Sequence, residues 1–484
     1  MRELYQTQEE IQSGAFLSPP NDRVPFWRDA LNIVFDQDGV RPITGFTRIT
    51  PRIGSQPVCG MHQHSKADEG KKYLFWGDST RLFAWREDWD TPDLVGEGFD
   101  GEYWSFESWG NWVVATNGKD PVQVWRGDQF EPLKHDLRQA KVVTEETEGE
   151  IVLRDGDGNE VSERKPLEED WDEYWLAVEG EPETIEVARI VDDEVEETFE
   201  PESVEGDFRP NILINFKNMM VAFSTQPSDG DTPQQIRSCE PDDLETWYPQ
   251  LSNQAAEIVA RDLMSEVRAA VKLPQGVAFF GLNSMHMLSY IGPPLILGQQ
   301  KTADGVGAFG AHCVTQVNGM VYGFGPEGIF MVSPNGEAEY LDNPAIRQYI
   351  VERLDRDYAH RSVVWYDSRQ ELIIVSYPEI GQKWPKQSVC YSLKTGGWSR
   401  LDFAATGASW GRVFPHTSAG GDRGNIFWHG YDAPVGGIPP EAQLYIGFTG
   451  EVFIKKAGYG ILGYGRAVYG DEPDGRVKWL SHSQ

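Results

Sequence analysis

The chain has 484 residues, a formal net charge of −33, 39% apolar content and 12% aromatic content. That is long enough for two or three ordinary domains or one large β body, and too rich in apolar residues for global disorder. An acid excess of this size repels phosphates, which argues against nucleic acid as a bound ligand.

Fifty glycines and thirty prolines signal many turns, and seventeen tryptophans suit half-buried pleated surfaces, so the composition leans to all-β. The opening MRELYQTQEEIQSG lacks the order of a signal peptide, and no stretch of about 18 uncharged apolar residues predicts a membrane segment. Cys59, Cys239, Cys313 and Cys390 are scattered without metal-ligand or redox spacing, which predicts buried, reduced thiols in a protein made in a cytoplasm.

Three segments are expected: 1–140, 141–208 and 209–484. The first holds short strand-like runs between turns, as in KKYLFWGDSTRLFAWRED. In WGNWVVATNGKDPVQVW, the run Trp112–Val114, the pair Asn117-Gly118 and the alternating Val122 and Val124 predict a hairpin with its tight turn at Asn-Gly. The second segment carries 26 acidic against 5 basic residues between Lys141 and Asp207. Its alternating runs EIVLRD and TIEVARIV read as a strand-containing acidic insertion. Within it DGDGNE resembles the start of a calcium loop, but Glu160 stands where the loop needs glycine and Pro166 where it needs its closing carboxylate, so a plain hairpin turn is expected.

The third segment repeats a strand, a polar turn and a second strand about every 40–60 residues, from NILINFKNMMVAFSTQ to SVCYSLKTGGWSRLDF. Radial repetition of four-stranded blades is one way for a long all-β chain to avoid exposed edges. The expected fold is therefore a β-propeller with an acidic β-containing insertion and very little helix, with a sandwich or jelly roll as the alternative. A helix is predicted over 344–356, capped by Asn343, opened by Pro344 and striped by Ile346, Ile350, Val351 and Leu354. Residues 254–268 read as a second helix, with Ile258, Leu263 and Val267 on one face, and 256–273 reads equally as extended chain.

Sites of chemistry are sparse. His62 and His64 flank Gln63 as two imidazoles on one strand face would, but no third ligand follows, and the surrounding Lys, Asp and Gly favour a loop. Gly458, Gly460 and Gly463 match dinucleotide-binding spacing without the strand and helix that fingerprint needs. A sialidase-type Asp box is approached once, where Asp422, Gly424 and Phe427 fall into place but Gly420 replaces the hydroxyl residue. Trp76, Trp85, Trp104, Trp109, Trp112 and Trp125 suit either a sugar site or, with their strand spacing, blade packing. No catalytic residue, cofactor or metal ligand is assigned, and no enzyme is expected; a propeller-fold glycosidase is the enzymatic alternative.

Several passages, in consistent order over roughly 70% of the chain, resemble the nozzle or hub proteins of short-tailed bacterial viruses. They are LNIVFDQDGVRPITGFTRI, ATNGKDPVQVWRGDQFEPL, IRSCEPDDLETWYP, SNQAAEIVARDL, GVAFFGLNSMHMLSYIGPPLILG, GMVYGFGPEGIFMV, the helix at 344–356 and YSLKTGGWSRLDF. The acidic insertion and the last 50 residues have no counterpart in that pattern. The resemblance implies a virion tail protein that forms a ring, commonly a hexamer, contacts neighbouring tail adaptor and fibre proteins, and lets DNA pass without specific binding. Other virion roles, a receptor-binding or connector propeller, are the alternative.

Overall fold

The computed structural model describes most of residues 56–411, together with the strands Asp29–Leu31, Ile33–Asp36, Gly39–Pro42, Thr47–Arg48, Asn425–Tyr431, Ala442–Gly447, Arg466–Tyr469 and Gly475–Leu480. Among the described residues, seven four-stranded antiparallel units follow one another along the chain. Blade 1 is Gly60–Lys66, Lys71–Gly77, Arg81–Arg86 and Asp93–Glu97. Blade 2 is Ser105–Trp109, Trp112–Thr116, Gln123–Trp125 and Phe130–Pro132. Blade 3 runs from Ile212–Phe216 to Ala256–Val259, blade 4 from Ala269–Leu273 to Ile296–Asp304, and blade 5 from Val314–Val317 to Ala338–Tyr340. Blade 6 begins with Val363–Asp367 and blade 7 with Ala405–Gly411.

The first strand of each unit packs against the first strand of the next, and that of blade 7 returns to that of blade 1. This cyclic contact makes the fold a seven-bladed propeller. The ring is sewn shut by distant segments. Thr47–Arg48 supplies the outer strand of blade 7, pairing with Tyr445 and Ile446. Asp29–Leu31 joins the edge of blade 6 parallel to Trp398–Leu401, and the strand Gly475–Leu480 pairs beyond it. Covering edges in this way removes unpaired backbone that would otherwise recruit other strands.

The core lies between blades. Tyr73, Phe75, Trp104, Val113 and Trp125 interlock blades 1 and 2, while Val114, Phe223, Trp247, Val277 and Phe279 join blades 2, 3 and 4. Trp104 is the tightest wedge: its indole N–H donates to the Asp78 carbonyl at 2.8 Å. Glycine is required opposite it, because a Cβ at Gly60 or Gly77 would stand 2.3 Å from Trp104 atoms. Trp76, Trp85, Trp104 and Trp125 are buried, in keeping with blade packing, and Trp109 and Trp112 face each other half-buried across their hairpin.

The acidic stretch forms two sheets between blades 2 and 3. One is Glu173–Ala177, Gln139–Val143 and Ser203–Glu205; the other is Lys165–Pro166, Glu150–Arg154, Glu186–Val191 and Glu194–Phe199. Ile151, Leu153, Tyr174, Leu176 and Val187 give it a core of its own. DGDGNE makes a tight turn in which the Asp155 carboxylate accepts from the backbone N–H of Asp157 and Asn159.

Three local expectations change. The helix is Pro344–Val351, capped by Asn343, whose Oδ1 accepts from Ala345 N and Ile346 N. It stops short of 356 because Leu354 bridges to Glu379 of blade 6, and Val351 turns outward. The hairpin after Trp112 closes through the connection 117–122, not a two-residue turn: Asn117 Oδ1 accepts from Lys119 N and Asp120 N, an Asx arrangement that spreads the reversal. Residues 254–268 resolve into the strand Ala256–Val259 and a short 3₁₀ turn, Arg261–Leu263.

Candidate functional site

The axis of the ring is where the most polar chemistry collects. His62 and His64 sit on a strand, not the expected loop, two residues apart and so on one face. That face meets blade 2. His62 Nε2 lies 2.8 Å and His64 Nδ1 3.0 Å from the same Ser108 Oγ, so one hydroxyl bridges two imidazoles across the blade boundary. Asn215 of blade 3 then donates to the Ser108 carbonyl at 2.8 Å. The set stitches three inner strands together.

Burial disfavours the charged imidazole, holding His62 down at about 4, with the neighbouring His64 pushing the same way. His64 is also lowered, first by burial. The Asn111 backbone works the other way, and the ring stands edge-on to Trp125 with centroids 6.5 Å apart. The Ser108 hydroxyl has one proton to give, so it donates to one of the two imidazoles and accepts from the other. An imidazole that protonates near pH 4 is a weak base at neutrality, so this is a cross-blade bridge in its chemistry.

Glu107 points to the opposite side of its strand. Burial raises it to about 7, opposed by the Lys272 charge and by backbone N–H groups of Ser108 and Asn215. Among the described residues no group of three or more His, Cys, Asp or Glu is arranged to hold a metal.

Where the inner strands begin, side chains touch across the axis. His312, leading into blade 5, reaches the Cys59 carbonyl before blade 1 at 3.1 Å. His360 and Arg361, leading into blade 6, meet the Glu102 carboxylate before blade 2 at 2.9 and 3.1 Å. Blades 1 and 5, and 2 and 6, lie on opposite sides of the ring, so these contacts bar the axis. Cys59, Cys239, Cys313 and Cys390 are all buried free thiols, and burial pushes Cys390 up to about 11 and Cys239 and Cys313 to about 12.

A second concavity, of about 300 Å³, lies off the axis between the turn at Pro326-Glu327 and the helix Pro344–Val351. Phe309, Phe324, Ile350 and Leu354 form its floor. Asp342 is buried there and holds Arg347 by two hydrogen bonds, 3.0 and 3.1 Å. Sequence reasoning paired His62 with His64 but missed Ser108, and it missed the recess. The helix was the available signal for the second; the bridge at Ser108 had none, since 44 residues separate it from His64. Gly458, Gly460 and Gly463, and Gly420, Asp422 and Gly424, lie outside the described residues, and of Phe427 only the strand is described.

No family model matches the chain, and no curated protein does. Among solved structures the chain is similar to two of Kluyveromyces lactis Hsv2, one with loop 6CD complete and one with that loop replaced by a Gly-Ser linker. Both are 8% identical and cover 72% of this chain and 97% of Hsv2, with TM-scores of 0.29 and 0.28. PorZ, a surface component of the type-IX secretion system of Porphyromonas gingivalis, is 11% identical over 87% of this chain and 62% of its own, with a TM-score of 0.26. Likenesses this loose carry no argument about function, and the blade assignment rests on the chain's own strand pairing.

Proposed function

We propose that the chain is a non-enzymatic structural subunit of a viral tail, a nozzle or hub that forms a ring around the path of genome exit. The observation that carries this reading is the ordered series of passages that resemble that family. The geometry adds a constraint on how such a subunit works. Because side chains meet across the propeller axis, DNA passes beside each propeller, through a lumen enclosed by several copies. A ring of this kind is built from heterologous contacts, in which one face of a subunit meets a different face of the next.

The acidic insertion fits the same role. A wall of carboxylates offers phosphates no array of Lys and Arg, so DNA is not held by counterion release. Hexamers, contacts with adaptor and fibre proteins, and residence in the virion tail after synthesis in the host cytoplasm belong to this proposal. Light scattering of the full chain together with electron microscopy tests it. Ring-shaped hexamers support the nozzle, a compact trimer supports a receptor-binding propeller, and a basic or neutral lumen wall would remove the acidic-conduit idea.

A further inference from the structure

The propeller is closed at its rim by strands drawn from the segment 29–48. Asp29–Leu31 lies along blade 6, and Thr47–Arg48 completes blade 7 through the pairs Thr47↔Ile446 and Arg48↔Tyr445. The latter pairing closes a loop of about four hundred residues with few hydrogen bonds.

A second set of contacts joins the same parts of the chain from inside, at the mouth of the axis where the inner strands begin. Arg361, before blade 6, is at its centre and its side chain is 11% exposed. Its guanidinium meets the Glu102 carboxylate at 3.1 Å, and Nη1 donates to the Lys383 carbonyl at 3.2 Å. Cζ lies 4.3 Å from the centre of the Trp384 ring and 4.9 Å from that of Tyr358. Trp384 stands on the loop between the strands Leu372–Tyr377 and Gln387–Ser392 of blade 6, yet it packs against the cluster of blades 1 and 2 that holds Cys59 and Trp104. His360 adds its own contact to Glu102 at 2.9 Å, and His312 of blade 5 reaches the Cys59 carbonyl. Aromatic rings around a guanidinium exclude water from it and strengthen its hold on a carboxylate.

We infer that Glu102, Arg361 and Trp384 form a latch across the axis that holds blade 6 on blades 1 and 2, a second closure of the propeller independent of the strands at its rim. The latch bypasses blade 7, so blades 6, 1 and 2 stay together whether or not Thr47–Arg48 is in place. It is made of side chains without backbone pairing, and its two halves answer to different conditions. Glu102 is 43% exposed, so salt screens the ionic half, while the Trp384 contact is apolar and is not screened. This inference does not depend on the viral-tail reading.

The test follows backbone hydrogen exchange of the full chain in the strands Lys71–Gly77, Trp112–Thr116 and Leu372–Tyr377. Thr47→Pro combined with Arg48→Pro takes both backbone donors from the rim strand. With the latch intact, this rim variant is expected to exchange within about threefold of the wild type in all three strands. Adding Arg361→Ala should raise exchange there by about tenfold or more. Adding Glu102→Gln instead, which leaves the stacking in place, should raise it by a smaller factor that disappears in concentrated salt. If the rim variant alone opens these strands, or if neither Arg361→Ala nor Glu102→Gln adds to it, the propeller has no second closure and the inference is overturned. Should the Arg361→Ala chain fail to fold, the Glu102→Gln chain and its salt dependence decide alone.

Discussion

The propeller body and the acidic insertion are both antiparallel β, yet they are held by different means. The body places its largest side chains between blades, where Trp104, Trp125 and Trp247 are fully buried and each blade completes its neighbour. The insertion closes a small core around Ile151, Leu153 and Tyr174 and sends its charge outward, as in the exposed Glu194, Glu196 and Glu197 of its edge strand. Arg189 draws Glu196 to 2.9 Å and Glu146 to 3.5 Å, tempering that repulsion. Cohesion and charge are thereby assigned to separate parts of one chain. The charge sits on a module with a core of its own, whose unfolding need not open the propeller.

The sharpest way to break this comparison is Trp104→Ala, which empties the wedge between blades 1 and 2. A loss of about 3–5 kcal/mol is expected in urea denaturation of the body, with the insertion's transition unmoved. If both shift together, the two parts are one cooperative unit.

Glu107→Gln probes the axis by pH. With Glu107 near 7 in the fold and about 4.5 when unfolded, the folded state holds the extra proton between those values. Its contribution is therefore full below about 4.5 and lost as pH rises to 7, at most about 3 kcal/mol, less because the side chain is partly exposed. His62, near 4 in the fold and 6.5 unfolded, has the opposite slope: its contribution is present above 6.5 and lost as pH falls toward 4. In the wild type the two offset one another. The variant should be more stable at pH 8 and show an uncovered rise in stability from pH 4 to 6.5, read from melting temperatures.

Asn343→Ala should cost about 1 kcal/mol, since two helix N–H groups lose their acceptor, and should leave the insertion untouched. The smallest effect is expected from replacing 139–205 with a short Gly-Ser linker. Leu137 and Phe208 pack into the same cluster of the body, so the cut ends are already neighbours. Circular dichroism should show a folded body melting within a few degrees of the wild type, with its dependence on salt reduced. A collapse would show that the insertion supports the ring.

Read alone, the amino-acid sequence determined what depends on neighbours along the chain. Alternation and turn residues marked the hairpins of blades 3 to 6, Asn343 and Pro344 marked the start of the helix, and the density of carboxylates marked the insertion. These are short-range properties, settled by backbone preference and by which face a strand can bury. Tertiary structure alone decided the count of seven blades, the stitching of Thr47–Arg48 into the last one, the meeting of His62 and His64 at Ser108, and the barring of the axis by Glu102 and Arg361. Each joins residues tens to hundreds of positions apart, and no local pattern records a partner chosen by packing around a closed ring.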